Sequence, residues 1–354
     1  MMMIRTWFCR KGFLFGVSAA SLLCIHASGC ATSGGGDAVG YSSPEASRSA
    51  EASREVTITP EQRIRAGQVL KEAGQLDAAL TEFNRVLEDN PRSVDAVIGV
   101  GSVQHARGQY LPARDTYTKA VELDGNRYDA RYYLGLMQQV LGETGEAILQ
   151  YRRALELNPR DAKTHRDLAT AYLQVRRPDL ALTHAETAVE LDPASQPAWC
   201  NLAATYSLLA RYPDALRCYR TATELGELDA PVLLGLGDTH LKLENFPRAV
   251  NTLGELVRRY PSGVAYERLA YALFRTAEYA RAEAEYRRAL EISPRDPASL
   301  NGLGACLITD YLQQSNLRRQ AKLREALDLW RTSLQIRRDQ PQIVELLRRY
   351  DLPD

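Results

Sequence analysis

The chain has 354 residues, with 44 basic and 44 acidic side chains, so it carries no formal net charge. That balance gives no support to nucleic-acid binding, and an apolar content of 45% argues against disorder across its bulk. Such a length ordinarily implies two or more globular domains, unless the sequence repeats.

The first thirty residues stand apart. Arg5, Arg10 and Lys11 form a basic start, and Gly12 to His26 follows with no acidic residue. This apolar stretch is too short for a comfortable membrane span. It ends in Ala27-Ser28-Gly29-Cys30, then Ala31-Thr32-Ser33-Gly34. On these residues, segment 1–29 resembles a bacterial lipoprotein signal. The resemblance implies cleavage before Cys30, lipidation of that cysteine, and an outer-membrane lipoprotein facing the periplasm. An ordinary secretory signal or an uncleaved inner-membrane anchor is the alternative. Cleavage there would leave a slight acidic excess, which suits solubility more than steering.

Residues 30–58 are rich in Ser, Ala and Gly. They can bury too little apolar surface to offset their chain entropy, so a flexible tether is expected. Thr59-Pro60-Glu61 then predicts a helix start, with Thr59 as N-cap, Pro60 as first residue and Glu61 at the positive end of the helix dipole.

From there the chain repeats at about 34 residues, in units near 60–93, 94–127, 128–161, 162–195, 196–229, 230–262 and 263–296. A small residue recurs at Gly67, Gly101, Gly135, Ala169, Ala203, Gly237, Ala270 and Gly304. An alanine recurs at Ala79, Ala113, Ala147, Ala181, Ala215, Ala249 and Ala282. Four positions later stand Phe83, Tyr117, Tyr151, Ala185, Tyr219, Leu253 and Tyr286. Helix stops follow at Pro91, Pro159, Pro193, Pro261 and Pro294, with Gly125 and Gly226 near the same place in two other units. Each unit therefore predicts two short helices around a turn, too small to stand alone and stacked on neighbours like itself.

Trp199-x2-Leu202-Ala203-x2-Tyr206 and Ala147-x3-Tyr151-x2-Ala154-x4-Pro159 resemble the tetratricopeptide repeat pattern, W-x2-L-G-x2-Y followed by A-x3-F-x2-A and P. The resemblance covers residues 59–296 well. It implies an all-α, right-handed superhelical solenoid of about eight helix-turn-helix repeats plus a C-terminal capping helix. In the degenerate region 297–354, an eighth unit begins with Leu300, Leu303 and Gly304. Its second helix, from Ala326, arrives about ten residues late, after the polar insertion 313–322, which could extend either helix or form a loop. Residues 342–350 are expected to cap the end.

Catalytic signatures are missing: there is no phosphate-cradling glycine loop, no helical H-E-x-x-H and no nucleophile elbow. His105, His165, His184 and His240 fall in different helices, and Asp238 and His240 are two apart, so they point away from each other. Cys200, Cys218 and Cys306 lack the spacing of a disulfide framework or a metal site and are expected to be small buried hydrophobes, with a Cys200–Cys218 bond across one hairpin as the alternative. No enzyme activity, cofactor or metal is expected.

In the family it resembles, the first helices of successive hairpins line an inner groove. Carried onto this chain, that face includes Ile98; Tyr132, Leu136 and Val140; Arg166 and Leu173; Leu234, Asp238 and Leu241; and Tyr271 and Phe274. These residues either pack between first helices or bind an extended or helical peptide. Residues 317–349 hold nine basic against four acidic side chains, including Arg337, Arg338, Arg348 and Arg349, which suggests contact with lipid headgroups or an acidic partner. The expected function is a lipid-anchored scaffold binding protein or peptide partners of an envelope assembly or secretion machine, with no role in binding nucleic acid. Its layout resembles that of the repeat lipoproteins serving as pilus pilotins or gathering cell-wall enzymes. Alternatives are an accessory subunit of polysaccharide synthesis or export, and a soluble adaptor without an anchor.

Overall fold

The computed structural model describes residues 58–313 and 319–350, all of whose elements are α-helices, 17 in number. Cys30, the leader and the tether up to residue 57 lie outside the described residues.

Residues 58–159 form one compact unit. It stacks three hairpins: α1 (Pro60–Glu72) with α2 (Leu76–Asp89), α3 (Val94–Ala106) with α4 (Tyr110–Leu123), and α5 (Tyr128–Val140) with α6 (Thr144–Leu157). Residues 160–350 form the second. Here α7 (Ala162–Gln174) pairs with α8 (Pro178–Leu191), α9 (Gln196–Leu208) with α10 (Tyr212–Leu225), and α11 (Ala230–Lys242) with α12 (Phe246–Arg259). Next α13 (Gly263–Arg275) pairs with α14 (Tyr279–Ile292), and α15 (Pro297–Gln313) with α16 (Arg319–Ile336), before α17 (Pro341–Tyr350). The expected all-α fold of hairpin repeats with a terminal cap is what forms.

The chain enters α1 as expected. Thr59 caps it, and Gln62 closes a capping box: Gln62 N donates to Thr59 Oγ1 at 3.3 Å and Thr59 N to Gln62 Oε1 at 2.8 Å. Asp161, Asp229 and Asp296 cap α7, α11 and α15 by accepting from backbone N–H three residues on.

Each of the first seven hairpins turns through one backbone device. The residue after the first helix's C-cap takes a positive φ, and two backbone bonds run back into that helix. In the first hairpin Gly74 (φ 75°) donates to Lys71 O at 3.0 Å and Gln75 to Leu70 O at 2.8 Å. This is a Schellman closure. Gly108 and Gly142 repeat it in 58–159, whereas Arg176, Ala210, Glu244 and Ala277 adopt it in 160–350 at φ of 56–68°.

Packing follows the repeat positions. Phe83, fully buried, lies between α1 and α3, where a Cβ on Gly67 or Gly99 would come within 2.7 and 2.5 Å of its ring. The same fit sets Tyr219 against Gly235 and Tyr286 against Gly302. Where the next helix carries a side chain instead, it stacks: Tyr117 and Tyr133 lie 5.4 Å apart at 16°. Trp330 fills this slot in the eighth hairpin against Gly304. Burying each large ring contributes roughly 1.5–3 kcal/mol.

The late second helix of the eighth unit has a simple cause: the insertion lengthens both helices, with α15 running to Gln313 and α16 starting at Arg319. Lys322 pairs with Asp310 across that hairpin. The cap α17 buries Ile343 and Leu346 in a cluster that contains Trp330. Gln340 locks the approach, accepting from Asn301 Nδ2 at 2.6 Å and donating to Ser333 O at 3.0 Å and Arg337 O at 2.7 Å.

Candidate functional site

Helical spacing places all eleven expected groove residues on first helices, but they do not share one environment. In 58–159, Ile98, Leu136 and Val140 are half-buried. Tyr132 is 3% exposed, enclosed by the rings of Tyr128, Tyr133 and Tyr151 at centroid distances of 6.2, 5.1 and 6.0 Å. In 160–350, Arg166, Leu234, Asp238 and Tyr271 are half-buried, whereas Leu173, Leu241 and Phe274 are buried. Phe274 meets the edge of Tyr279 at 5.4 Å. Tyr132, Leu173, Leu241 and Phe274 are therefore interior packing, the first of the two roles expected for this face, so Tyr132 and Phe274 do not stand out as anchors. The other seven keep surface that a partner can reach.

Polar side chains, whose role helix spacing alone does not reveal, tie successive first helices together. Asn201 on α9 donates to Arg166 O at 3.1 Å and Thr170 Oγ1 at 2.6 Å on α7. Arg268 on α13 donates from Nε to Asp238 Oδ1 on α11 at 2.9 Å and also pairs with Glu267. Both stand where glycine occupies the same register at 99, 235 and 302, and that contrast was the available signal.

The Asp238–Arg268–Glu267 group holds two carboxylates and one guanidinium, with the Glu267 side chain only 5% exposed. Burial pushes its carboxyl up to about 7; Arg268 opposes the rise, and Asp296 and Asp238 add to it. Burial raises Asp238 too, although its side chain keeps 37% of its exposure, so solvent limits that shift. Beside this group, Arg275 donates to Tyr271 Oη at 2.9 Å and lies 4.0 Å over the Phe246 ring.

Lys163 and Arg166 line a cleft of about 190 Å³ with Asp192 and Ser195, smaller than the roughly 300–1,000 Å³ of a small-molecule pocket. His165 and His184, unrelated in sequence terms, meet with their Nδ1 atoms 3.0 Å apart, and Tyr172 stacks on His184 at 5.9 Å. Asp238 and His240 do diverge: His240 is 5% exposed with an unpartnered Nδ1. Cys218 and Cys306 are buried thiols, and burial pushes Cys218 up to about 11 and Cys306 higher still, away from reactive thiolate. Arg324, Arg337, Arg338, Arg348 and Arg349 are exposed without an ion pair among the described residues. Among those residues no helix is long and apolar enough to cross a membrane.

Tetratricopeptide repeat family models match residues 64–127, 140–175, 184–217 and 234–297, together more than half of the chain. No curated protein matches the sequence. Among solved structures, the fold is similar to a tetratricopeptide repeat protein of Parabacteroides merdae, at 17% identity and a TM-score of 0.51, covering 70% of this chain and 98% of that one. It is similar to PilF of Pseudomonas aeruginosa at 21% identity and a TM-score of 0.54, covering 59% and 95%. It also resembles a chain of the Cut9–Hcn1 hetero-tetramer of APC/C at 16% identity and 0.57, covering 84% and 57%. At such identities the likeness shows the fold, and the repeat matches and fold agree: the chain belongs to the tetratricopeptide repeat family, whose fold supports a protein–protein interaction scaffold.

Proposed function

We propose that the protein is a non-catalytic scaffold, lipid-anchored through Cys30 on the periplasmic side of the bacterial outer membrane, that gathers partners of an envelope assembly or secretion machine. The observation that carries the interaction half of this reading is the half-buried side chains left on the first helices: Ile98, Leu136 and Val140 in one unit, and Leu234, Asp238 and Tyr271 in the other. Apolar side chains flanked by polar ones suit a peptide or helix laid across the repeats within either unit. The anchor half is supported by the basic start, the apolar stretch and Ala27-Ser28-Gly29-Cys30. The exposed arginines at 324, 337, 338, 348 and 349 supply the contact with anionic headgroups or an acidic partner. Similarity in fold to PilF fits a repeat scaffold without choosing a pathway.

Metabolic labelling with a clickable fatty acid tests the anchor. Wild type should label and Cys30→Ala should not, and equal labelling would remove the anchor from the reading. Proximity labelling then tests the partners: envelope proteins are expected, and partners confined to the cytoplasm would favour the soluble adaptor.

A further inference from the structure

The last helix, α17, is bounded by two arginine pairs. Arg337 and Arg338 lie in the link that enters it, and Arg348 and Arg349 in its last turn. All four are exposed, and none forms an ion pair among the described residues. The helix that carries them is fixed at both ends. Gln340 ties its start to Ser333 and Arg337, and at its end the Tyr350 ring meets Trp330 at a centroid distance of 6.5 Å. Ile343 and Leu346 are buried, so helical spacing puts Glu345 and Arg348 on the opposite face, with Arg349 at its flank. Between residues 337 and 350 the four guanidiniums face two carboxylates, Asp339 and Glu345.

We propose that α17 and its two arginine pairs dock on an anionic phospholipid bilayer, as a second membrane contact besides the N-terminal anchor. This contact rests on the anchored-scaffold reading, which brings the bilayer within reach, and it commits the basic surface to lipid rather than to an acidic protein. The composition of the surface favours lipid. A protein partner is ordinarily gripped through an apolar core with a polar rim. Among the described residues from 320 to 350 no large apolar side chain is exposed, because α17 turns its apolar face inward. A fluid plane of phosphodiesters needs neither an apolar core nor a matching shape. Guanidinium suits it, since each can hold a phosphate through two parallel N–H donors. Every cation close to an anionic leaflet strengthens binding roughly fivefold, so four of them opposed by two acids make a contact that helps a chain already tethered more than a free one. The helix inserts nothing apolar, and salt therefore dissolves the contact.

Hydrogen exchange of residues 337–350 in the full chain tests the contact, on vesicles of phosphatidylcholine alone or with about 30% phosphatidylglycerol. Because the readout is local, attachment through the leader, present in every arm, does not enter the comparison. Exchange in α17 should slow at least about fivefold on the anionic vesicles relative to the neutral ones, and about 0.5 M salt should abolish the difference. The variant Arg337→Gln/Arg338→Gln/Arg348→Gln/Arg349→Gln should exchange alike on both vesicles at an unchanged melting temperature. If that variant loses α17, the Arg337→Gln/Arg338→Gln and Arg348→Gln/Arg349→Gln pairs replace it, each with reduced protection. Cys30→Ala should keep the protection, so failure of the anchor and failure of this contact read separately. Equal exchange of wild type on both vesicles, or undiminished protection in the arginine variants, overturns the proposal. So does equal protection by inorganic phosphate or poly-glutamate at matched charge, which would assign the surface to a free anion or an acidic protein.

Discussion

Among the described residues, every buried charged, imidazole, amide or aliphatic-hydroxyl residue, from Thr164 to Gln340, lies in the unit 160–350, whereas the fully buried polar groups of 58–159 belong to tyrosines and to the half-buried Gln138. The hairpin turns divide at the same place: Gly74, Gly108 and Gly142 on one side, and Arg176, Ala210, Glu244 and Ala277 on the other. The first unit thus meets each demand of the repeat with the residue that suits it best. The second holds a carboxylate away from water and places side chains in the left-handed region, at a cost of about 1–2 kcal/mol per non-glycine turn residue. Local costs of this kind persist where the surrounding structure imposes them, and they mark where a repeat carries more than stacking. The Asp238–Arg268–Glu267 group and the His165–His184 pair both lie on that side.

The largest test of the contrast is at Phe83. Held between Gly67 and Gly99 on rigid helices, its site cannot collapse, so Phe83→Ala should cost about 3–5 kcal/mol in urea unfolding, with faster hydrogen exchange in α1 to α3. A loss under 1 kcal/mol would show that the glycine-lined slot is plastic.

Next comes pH, which should separate the polar interior from the apolar one. Glu267 is raised from 4.5 to about 7. Below pH 4.5 it is protonated in the folded and unfolded chain alike, so no charge is buried. As pH climbs through about 7 the folded chain must hold the carboxylate, and stability is lost over that window. Glu267→Gln should therefore gain on wild type by on the order of 2–3 kcal/mol between pH 4.5 and 7.5, read from urea midpoints. His240 has the opposite sign, since burial lowers it from 6.5 and stability is lost as pH falls below that value. An offset between Glu267→Gln and wild type that stays constant with pH would exclude Glu267 as the titrating group.

Exchanging the turns tests the second half of the contrast. Gly108→Ala should cost about 1–2 kcal/mol, while Ala210→Gly should gain up to about 1 kcal/mol, less whatever the freer unfolded chain takes back. Calorimetric melting of both variants measures it, and shifts of the same sign would mean that φ does not govern these turns.

The smallest effect lies within 58–159. Tyr117 Oη is buried with no hydrogen-bond partner, whereas Tyr151 Oη bonds Gln139 Oε1 at 2.8 Å. Tyr117→Phe should be neutral or stabilising and Tyr151→Phe should cost about 1 kcal/mol, again by urea unfolding. The reverse order would mean that Tyr117 reaches water.

Much of the fold was legible in the sequence because it rests on local rules. The period of small and bulky residues marks the hairpins, Thr59-Pro60 announces the first helix, and Gly142 interrupts the pattern where a positive φ is needed. Helix period says which side chains share a face. It does not say how far a neighbouring helix covers that face, so Tyr132, Leu173, Leu241 and Phe274 looked like groove residues and are interior. Nor could it find the turns at Arg176, Ala210, Glu244 and Ala277, where Schellman bonds impose a conformation that no glycine advertises.

The sequence by itself determined the repeat, the helices and the family, because spacing along one helix and the size of each core residue are properties of the chain alone. Only the tertiary structure decided that Arg268 reaches Asp238 and that His165 meets His184. Those contacts join different helices, and their distances depend on how closely two backbones approach, which spacing along one helix does not encode.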